Sequence, residues 1–272
     1  MELYDATSYE LSERLTKRYS TSFSLSTQLL PKTHRAHIYA IYGLVRIADE
    51  IVDTYHGDGA RLELDRLEED VYRAIEASYS PNPIVHAFSR TANKFAIDKV
   101  LIEPFFASMR IDLEPQQYTD DLYETYIHGS AEVVGLMCLK VFLRGDTSRY
   151  DELRDGACAL GSAYQKVNFL RDLKSDYHEL GRLYFPGVQF ENFSDDQKLA
   201  IIRDITHDFV TAKKAIGELP RDVQPAVRTS YQYYTRLLKK LHQASVDDVK
   251  SRRIRVSDTQ KVTLYLRARA RV

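Results

Sequence analysis

Tryptophan is absent, methionine occurs three times, and there are only two cysteines, Cys138 and Cys158. Both cysteines sit among apolar neighbours, so they read as reduced core thiols of a cytosolic protein, not as a disulfide framework. Glycine (11) and proline (8) are sparse for 272 residues, and they do not gather into linker tracts. No GxxxxGK[ST] and no GxGxxG occurs, which removes a P-loop kinase and a Rossmann dinucleotide site. Basic and acidic residues nearly cancel, for a formal net charge of −1, and this excludes a general nucleic-acid binder. No window is expected to reach the roughly 20 apolar residues of a membrane span. The N-terminal "MELYDATSYELSERLTKRYS" has early acids and no apolar run, so no secretory signal is expected there. Any membrane contact should therefore be peripheral, made from the side.

What is present is helical periodicity. "THRAHIYAIYGLVRIADEIVDTYH" repeats apolar residues at intervals of three and four: Ile38, Ile41, Tyr42, Val45, Ala48, Val52. Thr33 is the expected N-cap after Pro31, and "GDG" at 57–59 the expected stop. "RLELDRLEEDVYRAIEASY" reads as a more solvated helix ended by "SPNP" at 80–83. Further helical patterns run over 84–111, 119–143, 150–180, 195–217 and 223–243, with a break at "GRLYFPG", 181–187. The tail reads either as a last helix or as an extended segment followed by one. With 44% hydrophobic residues, no strand series and no linker, one all-α domain over 1–272 is expected.

Two stretches carry more than a fold. In "RIADEIVD", Asp49 and Asp53 lie four apart with Arg46 on the same helical face, about 6 Å per step along the axis. Most neighbouring positions are apolar, which reads as a largely buried helix, and buried acids need a partner or a metal. In "YQKVNFLRDLKSDYHE", Asn168, Asp172 and Asp176 recur at i, i+4 and i+8, flanked by Gln165 and Arg171. Either stripe alone is an ordinary solvated face. Two of them facing each other across a cleft would make a cage of hard oxygen ligands, suited to Mg²⁺ or Mn²⁺ more than to zinc. The neighbouring arginines supply planar donors for phosphate oxygens. The expected ligand is an organic diphosphate, and the expected chemistry is its metal-assisted departure to leave a carbocation in a dry, aromatic-lined pocket.

Other motifs weigh less. His128 and Glu132, four apart, read first as a satisfied pair and second as a proton relay. Asp53/His56 and Asp204/His207 have a di-iron-like spacing without the partner glutamates. "YHE" at 177–179 lacks the second histidine of a zinc-protease helix. "RRIR" and "RARAR" read as solvated basic ends, with a second diphosphate or an anionic lipid as the alternative.

In these motifs the chain resembles the squalene/phytoene synthase family of head-to-head prenyl synthases over nearly its whole length. The resemblance is carried by "YSTSFSLSTQLLP" (19–31), "AIYGLVRIADEIVD" (40–53), "YIHGSAEVVGLM" (126–137), "YQKVNFLRDLKSDYHELGRLYFP" (164–186) and "RRIRVSDTQK" (252–261), in family order and spacing. It implies the all-α isoprenoid synthase fold with a central cavity. Asp49 and Asp53 would hold metal from one side, and Asn168, Asp172 and Asp176 from the other. Ser20, Ser22, Tyr42, Arg46, Gln165 and Arg171 would hold diphosphate oxygens. Phe23 and Tyr126 would line the pocket near the reacting carbons, with Tyr126 counted among the catalytic residues. The implied reaction joins two prenyl diphosphates through a cyclopropyl diphosphate into a 1–1′ linked hydrocarbon.

The first motif departs from the family's D-D-x-x-D, since Ala48 precedes Asp49, and "HGSAE" at 128–132 departs from the usual pocket sequence. No counterpart is assigned to a family tyrosine near the C-terminal helices. The basic C-terminal segment and the missing dinucleotide fingerprint favour a phytoene-type reaction on geranylgeranyl diphosphate, with NADPH not expected. Squalene or dehydrosqualene formation from farnesyl diphosphate is the enzymatic alternative, and a non-catalytic helical assembly factor is the other. The expected location is the cytoplasm, with peripheral contact at the inner membrane face.

Overall fold

The periodic pattern folds into helices from end to end, with no strand among the described residues. The computed structural model describes residues 1–55, 59–114 and 117–270. The helices are α1 (Glu2–Tyr19), α2 (Thr21–Thr27), α3 (Lys32–Asp53), α4 (Ala60–Ala77), α5 (Pro83–Phe95), α6 (Lys99–Ile111), α7 (Asp120–Ile127), α8 (Val133–Leu143), α9 (Thr147–Leu180), α10 (Asp195–Glu218), α11 (Gln224–Gln243), α12 (Val246–Ser251) and α13 (Asp258–Arg269). A π turn, His128–Glu132, joins α7 to α8.

Several boundaries differ from the sequence expectation. Thr33 lies inside α3. The N-cap is Pro31, whose extended backbone feeds Lys32 into the first turn, and no side chain caps it. The expected stop at 57–58 and His56 lie outside the described residues. The 84–111 pattern is split, because Ala96 takes a left-handed conformation (φ 52°) and ends α5. The Lys140 ammonium, from α8, hydrogen-bonds the Ala96 carbonyl, a contact that local periodicity does not contain. The tail follows the second of its two readings, a short α12 and an extended stretch before α13. α1 was hidden in the sequence because its buried face is Ser8, Ser12 and Thr16, not an apolar stripe. The Ser12 and Thr16 hydroxyls bond back to the carbonyls of Ser8 and Ser12 (3.1 and 2.8 Å).

Asp120–Leu143 also corrects the expectation about apolar windows. This continuous rod is long and apolar enough by length and composition to cross a membrane, but 56% of its most apolar window is buried inside the protein. It is a packed helix, held by backbone-close crossings. A Cβ on Gly129 would stand 2.2 Å from the Pro104 carbonyl oxygen, and one on Gly161 of α9 would stand 2.5 Å from that of Ala131. Only a glycine admits such approaches.

Two apolar clusters result. One gathers α3 to α6 with α8, around Phe88, Phe105, Phe106 and Met137. The other gathers Tyr126, Phe169, Leu170, Tyr184 and Ile205 with the inner faces of α10 to α12. Burying each large side chain contributes about 1.5–3 kcal/mol. α9 runs through both clusters, and Leu160 and Tyr231 pack against both. Gly181 (φ 67°) ends α9 in the left-handed region that glycine favours.

His37 sits buried between α3 and α5, with Nδ1 2.9 Å from the Thr91 hydroxyl and Nε2 3.1 Å from Lys94 Nζ. Burial, and then the Lys94 charge, push it down to about 4. In the unfolded chain it titrates near 6.5. Its contribution to stability is therefore present above pH 6.5 and lost as pH falls toward 4, a loss of roughly 3 kcal/mol. Urea unfolding at pH 7 and pH 4.5 should show this decline, and His37→Gln should flatten it.

Candidate active site

An apolar cavity of about 270 Å³ opens against the first cluster, with Leu160 and Tyr164 bordering it on the side of the second. α2 and α3 give it Phe23, Ile41, Tyr42 and Val45; α8 and α9 give it Val134, Cys138 and Leu160. Phe23 stacks on Tyr42 with ring centroids 4.9 Å apart, so α2 is pinned to α3 at the wall. Gln165 also reaches this wall.

The two acidic stripes meet at one space. Asp53 perturbs both Asp49, on its own helix, and Asp176, on α9. Burial, followed by the Asp53 charge, pushes Asp49 up to about 8, with Arg46 opposing. Burial, followed by Asp172 and Asp53, pushes Asp176 up to about 8. Such shifts mark negative charge that the protein's own cations leave partly uncompensated. Asn168 adds a buried Oδ1 that has no hydrogen-bond partner.

Each of the two arginines lies beside a carboxylate. Arg46 pairs with Glu50, lies 3.7 Å from Asp49, and covers the Tyr19 ring at 4.2 Å. Arg171 pairs with Asp172, and Arg253, from the extended tail, reaches the same carboxylate at 2.7 Å. Ser20 caps α2 by accepting from the Phe23 amide (3.3 Å). Ser22 is half-buried on the first turn of α2. Tyr42 is pushed up to about 12 by burial and then by Asp49.

Tyr126 is the exception. It does not wall the cavity; it donates to Asp112 Oδ2 (2.6 Å) within an aromatic cluster that includes Tyr118, Phe169 and Tyr184. Its position just before the π turn directs it to the end of α6. The His128/Glu132 reading as a pair holds, at 2.9 Å. Asp204, from the di-iron-like spacing, pairs with Lys166 (2.6 Å), as does Asp208 (2.8 Å).

Three residues were missed by sequence reasoning. The Arg182 guanidinium donates to Asp53 (2.6 Å) and to the carbonyls of Val52 (2.9 Å) and Asp112 (3.0 Å). Its Nε also stands 3.7 Å from the nearly inaccessible Asp112 carboxylate. Asp112, pushed up to about 6 by burial against the pull of Arg182, accepts from Tyr126 and from Tyr184 (3.2 Å). Arg182 and Tyr184 lay within the quoted stretch 164–186 with no role assigned, and Asp112 belonged to no motif.

Among the described residues, no three His, Cys, Asp or Glu side chains close into a ready-made metal centre. The expected cage does not close on the protein's own side chains. Mg²⁺ is commonly held by one or two carboxylates completed by waters and substrate phosphates. Two acids raised to about 8 and an orphaned amide oxygen are donors that fit such a cation.

A helical shell around an apolar cavity, with acids of α3 and α9 brought together near it, is the architecture of the isoprenoid synthase fold. The sequence profile described as "Squalene/phytoene synthase" matches residues 16–260. The chain is 32% identical to a phytoene synthase of Arthrospira platensis, over 88% of this chain and 85% of that protein. It is 31% identical to a 15-cis-phytoene synthase of Synechocystis sp., over 95% and 83%. A crystal structure of a dehydrosqualene synthase in complex with ligand superposes with a TM-score of 0.82 at 24% identity, covering 98% of this chain and 97% of that one. The chain belongs to the squalene/phytoene synthase family, whose members are prenyltransferases.

Because Arg182 clamps Asp53 and Asp112 together, Arg182→Met should lower turnover roughly 10–100-fold, the usual cost of losing a group that orients a ligand. Asp112→Asn, which keeps shape and removes charge, should cost less. Steady-state kinetics beside circular dichroism melts separates lost orientation from lost folding.

Proposed function

We propose that this prenyltransferase joins two geranylgeranyl diphosphates head to head to a phytoene-type hydrocarbon, with Mg²⁺ or Mn²⁺ as cofactor. The observation that carries the proposal is that α3 and α9 bring Asp49, Asp53 and Asp176 within electrostatic reach of one another, while Tyr42 and Gln165 of the same two helices wall an apolar cavity. Asp49, Asp53, Asn168, Asp172 and Asp176 would hold the metal. When bound, it would neutralise the diphosphate oxygens and make diphosphate a better leaving group.

The protein's own residues do the rest. Arg46 and Arg171, each already steered by a carboxylate, are aimed to take diphosphate oxygens, helped by Ser20, Ser22, Tyr42 and Gln165. The C1–O bond of one substrate breaks with its electron pair leaving on diphosphate. The C2–C3 double bond of the second substrate captures the cation, and proton loss closes the cyclopropyl diphosphate. A second ionisation and rearrangement give the 1–1′ skeleton. The cavity wall of Ile41, Val45, Val134 and Leu160 excludes water that would trap either cation as an alcohol.

NADPH is not part of the proposal, since the final cation then ends by proton loss. Farnesyl diphosphate, giving dehydrosqualene, is the second reading, favoured by the fold likeness to the dehydrosqualene synthase. A non-catalytic relative would not need the acids and arginines retained here. The proposal includes a cytoplasmic location with peripheral contact at the inner membrane face, the contact because substrates and product are greasy.

Purified protein is to be incubated with each prenyl diphosphate, with and without NADPH, and the hydrocarbon identified. Geranylgeranyl diphosphate should give the main product, independent of NADPH. Asp53→Ala and Asp172→Ala should each lower it at least about 100-fold; product formation that survives both would end the catalytic reading. Because protons compete with metal at Asp49 and Asp176, calorimetry should show tighter Mg²⁺ binding at pH 8.5 than at pH 6.5.

A further inference from the structure

We propose that Tyr164 is a further catalytic residue, relaying to diphosphate the proton whose loss from the last carbocation ends the reaction. This rests on the head-to-head reading above. Tyr164, Asn168, Asp172 and Asp176 stand at successive intervals of four on α9, about 6 Å per step. The stripe that carries the oxygen donors thus continues one turn further, to a residue that walls the apolar cavity. Tyr164 stands where the diphosphate end gives way to the hydrocarbon end.

Its hydroxyl is buried without a hydrogen-bond partner in good geometry, with Ser230 as a polar neighbour. A buried phenol left unsatisfied is costly and calls for a role. The ring does not swing freely: it stacks on Tyr234 of α11, centroids 3.9 Å apart and planes 15° apart, with Phe209 at 6.2 Å on another side. The oxygen is thereby held in place, with the Ser230 side chain as a polar neighbour and no hydrogen bond of good geometry. Other cavity hydroxyls are differently disposed. Ser26 donates to the Phe23 carbonyl (2.9 Å), and Ser130, also unpartnered, comes from the π turn, away from the donor stripe.

The chemistry balances. The C1–H bond of the 1–1′ linked allylic cation breaks, and its electron pair becomes the new double bond. The proton goes to the Tyr164 oxygen, which gives up its own proton to the released diphosphate and is restored as a phenol. A weakly basic phenol suffices because an allylic carbocation in a dry cavity is a very strong acid. Burial raises the Tyr164 pKa, so the residue begins each turnover protonated.

Tyr164→Phe keeps the stacked ring and removes only the oxygen. In Mg²⁺-supplemented assays that follow the cyclopropyl diphosphate and the hydrocarbon separately, the variant should form the first at about the wild-type rate. It should also consume that intermediate at about the wild-type rate, but the yield of the proton-loss hydrocarbon should fall about 100-fold, in favour of water-quenched alcohols and misplaced double bonds. Ser130→Ala should behave as wild type. Slowed formation of the cyclopropyl diphosphate, an unchanged hydrocarbon yield, or the same diversion in Ser130→Ala would overturn the assignment. Wild-type protein that forms no hydrocarbon from either prenyl diphosphate would instead refute the head-to-head reading, and that result is read without any variant.

Discussion

Asp49, Asp53, Asp112, Asp172 and Asp176 crowd together near the C-terminal ends of α3, α6 and α9, and like-charge repulsion in a poorly solvated place is the constraint the site must meet. Arg182 offsets part of it by holding Asp53 and Asp112 together while tying down two backbone carbonyls. Arg171 and Arg253 share Asp172. What stays uncompensated appears as the raised carboxyls of Asp49 and Asp176. A region that strained gains from a bound cation and from the phosphate oxygens a cation brings, so the chemistry follows from the electrostatics.

The cavity is the other half of the design. It lies beside the first apolar cluster, with Leu160 and Tyr164 of α9 on the side of the second, and close helix crossings form part of its wall at Gly156 and Gly161. Glycines at 129, 156 and 161 let α6, the π turn, α9 and α10 approach at backbone distance. Charge collects at the α3 and α9 termini while hydrocarbon walls fill the interior. A prenyl diphosphate has the same division between an ionic head and a greasy chain.

Much of this was legible in the residues. The three-and-four periodicity of α3, α9, α10 and α11 located those helices, and the i, i+4 spacing of Asp49/Asp53 and Asn168/Asp172/Asp176 picked out the donor stripes. α1 escaped because serines and a threonine, not aliphatics, fill its buried face. The Ala96 break escaped because a left-handed alanine carries no composition signal. Tyr126 kept its place beside the site but turned to Asp112, since nothing in its own helix says which neighbour its hydroxyl will find.

The sequence by itself determined the helical class, the identity and spacing of the oxygen and guanidinium groups, and the family, because each is a property of one helix face or of a short motif. Only the tertiary structure decided that Arg182 meets Asp53 across 129 residues, that Asp112 joins them, and that Tyr164 stacks on Tyr234 at the cavity wall. The reason is physical: periodicity reports which side of a helix is apolar, whereas contacts between helices depend on crossing angles and backbone approach, which are set by the packing of the whole chain.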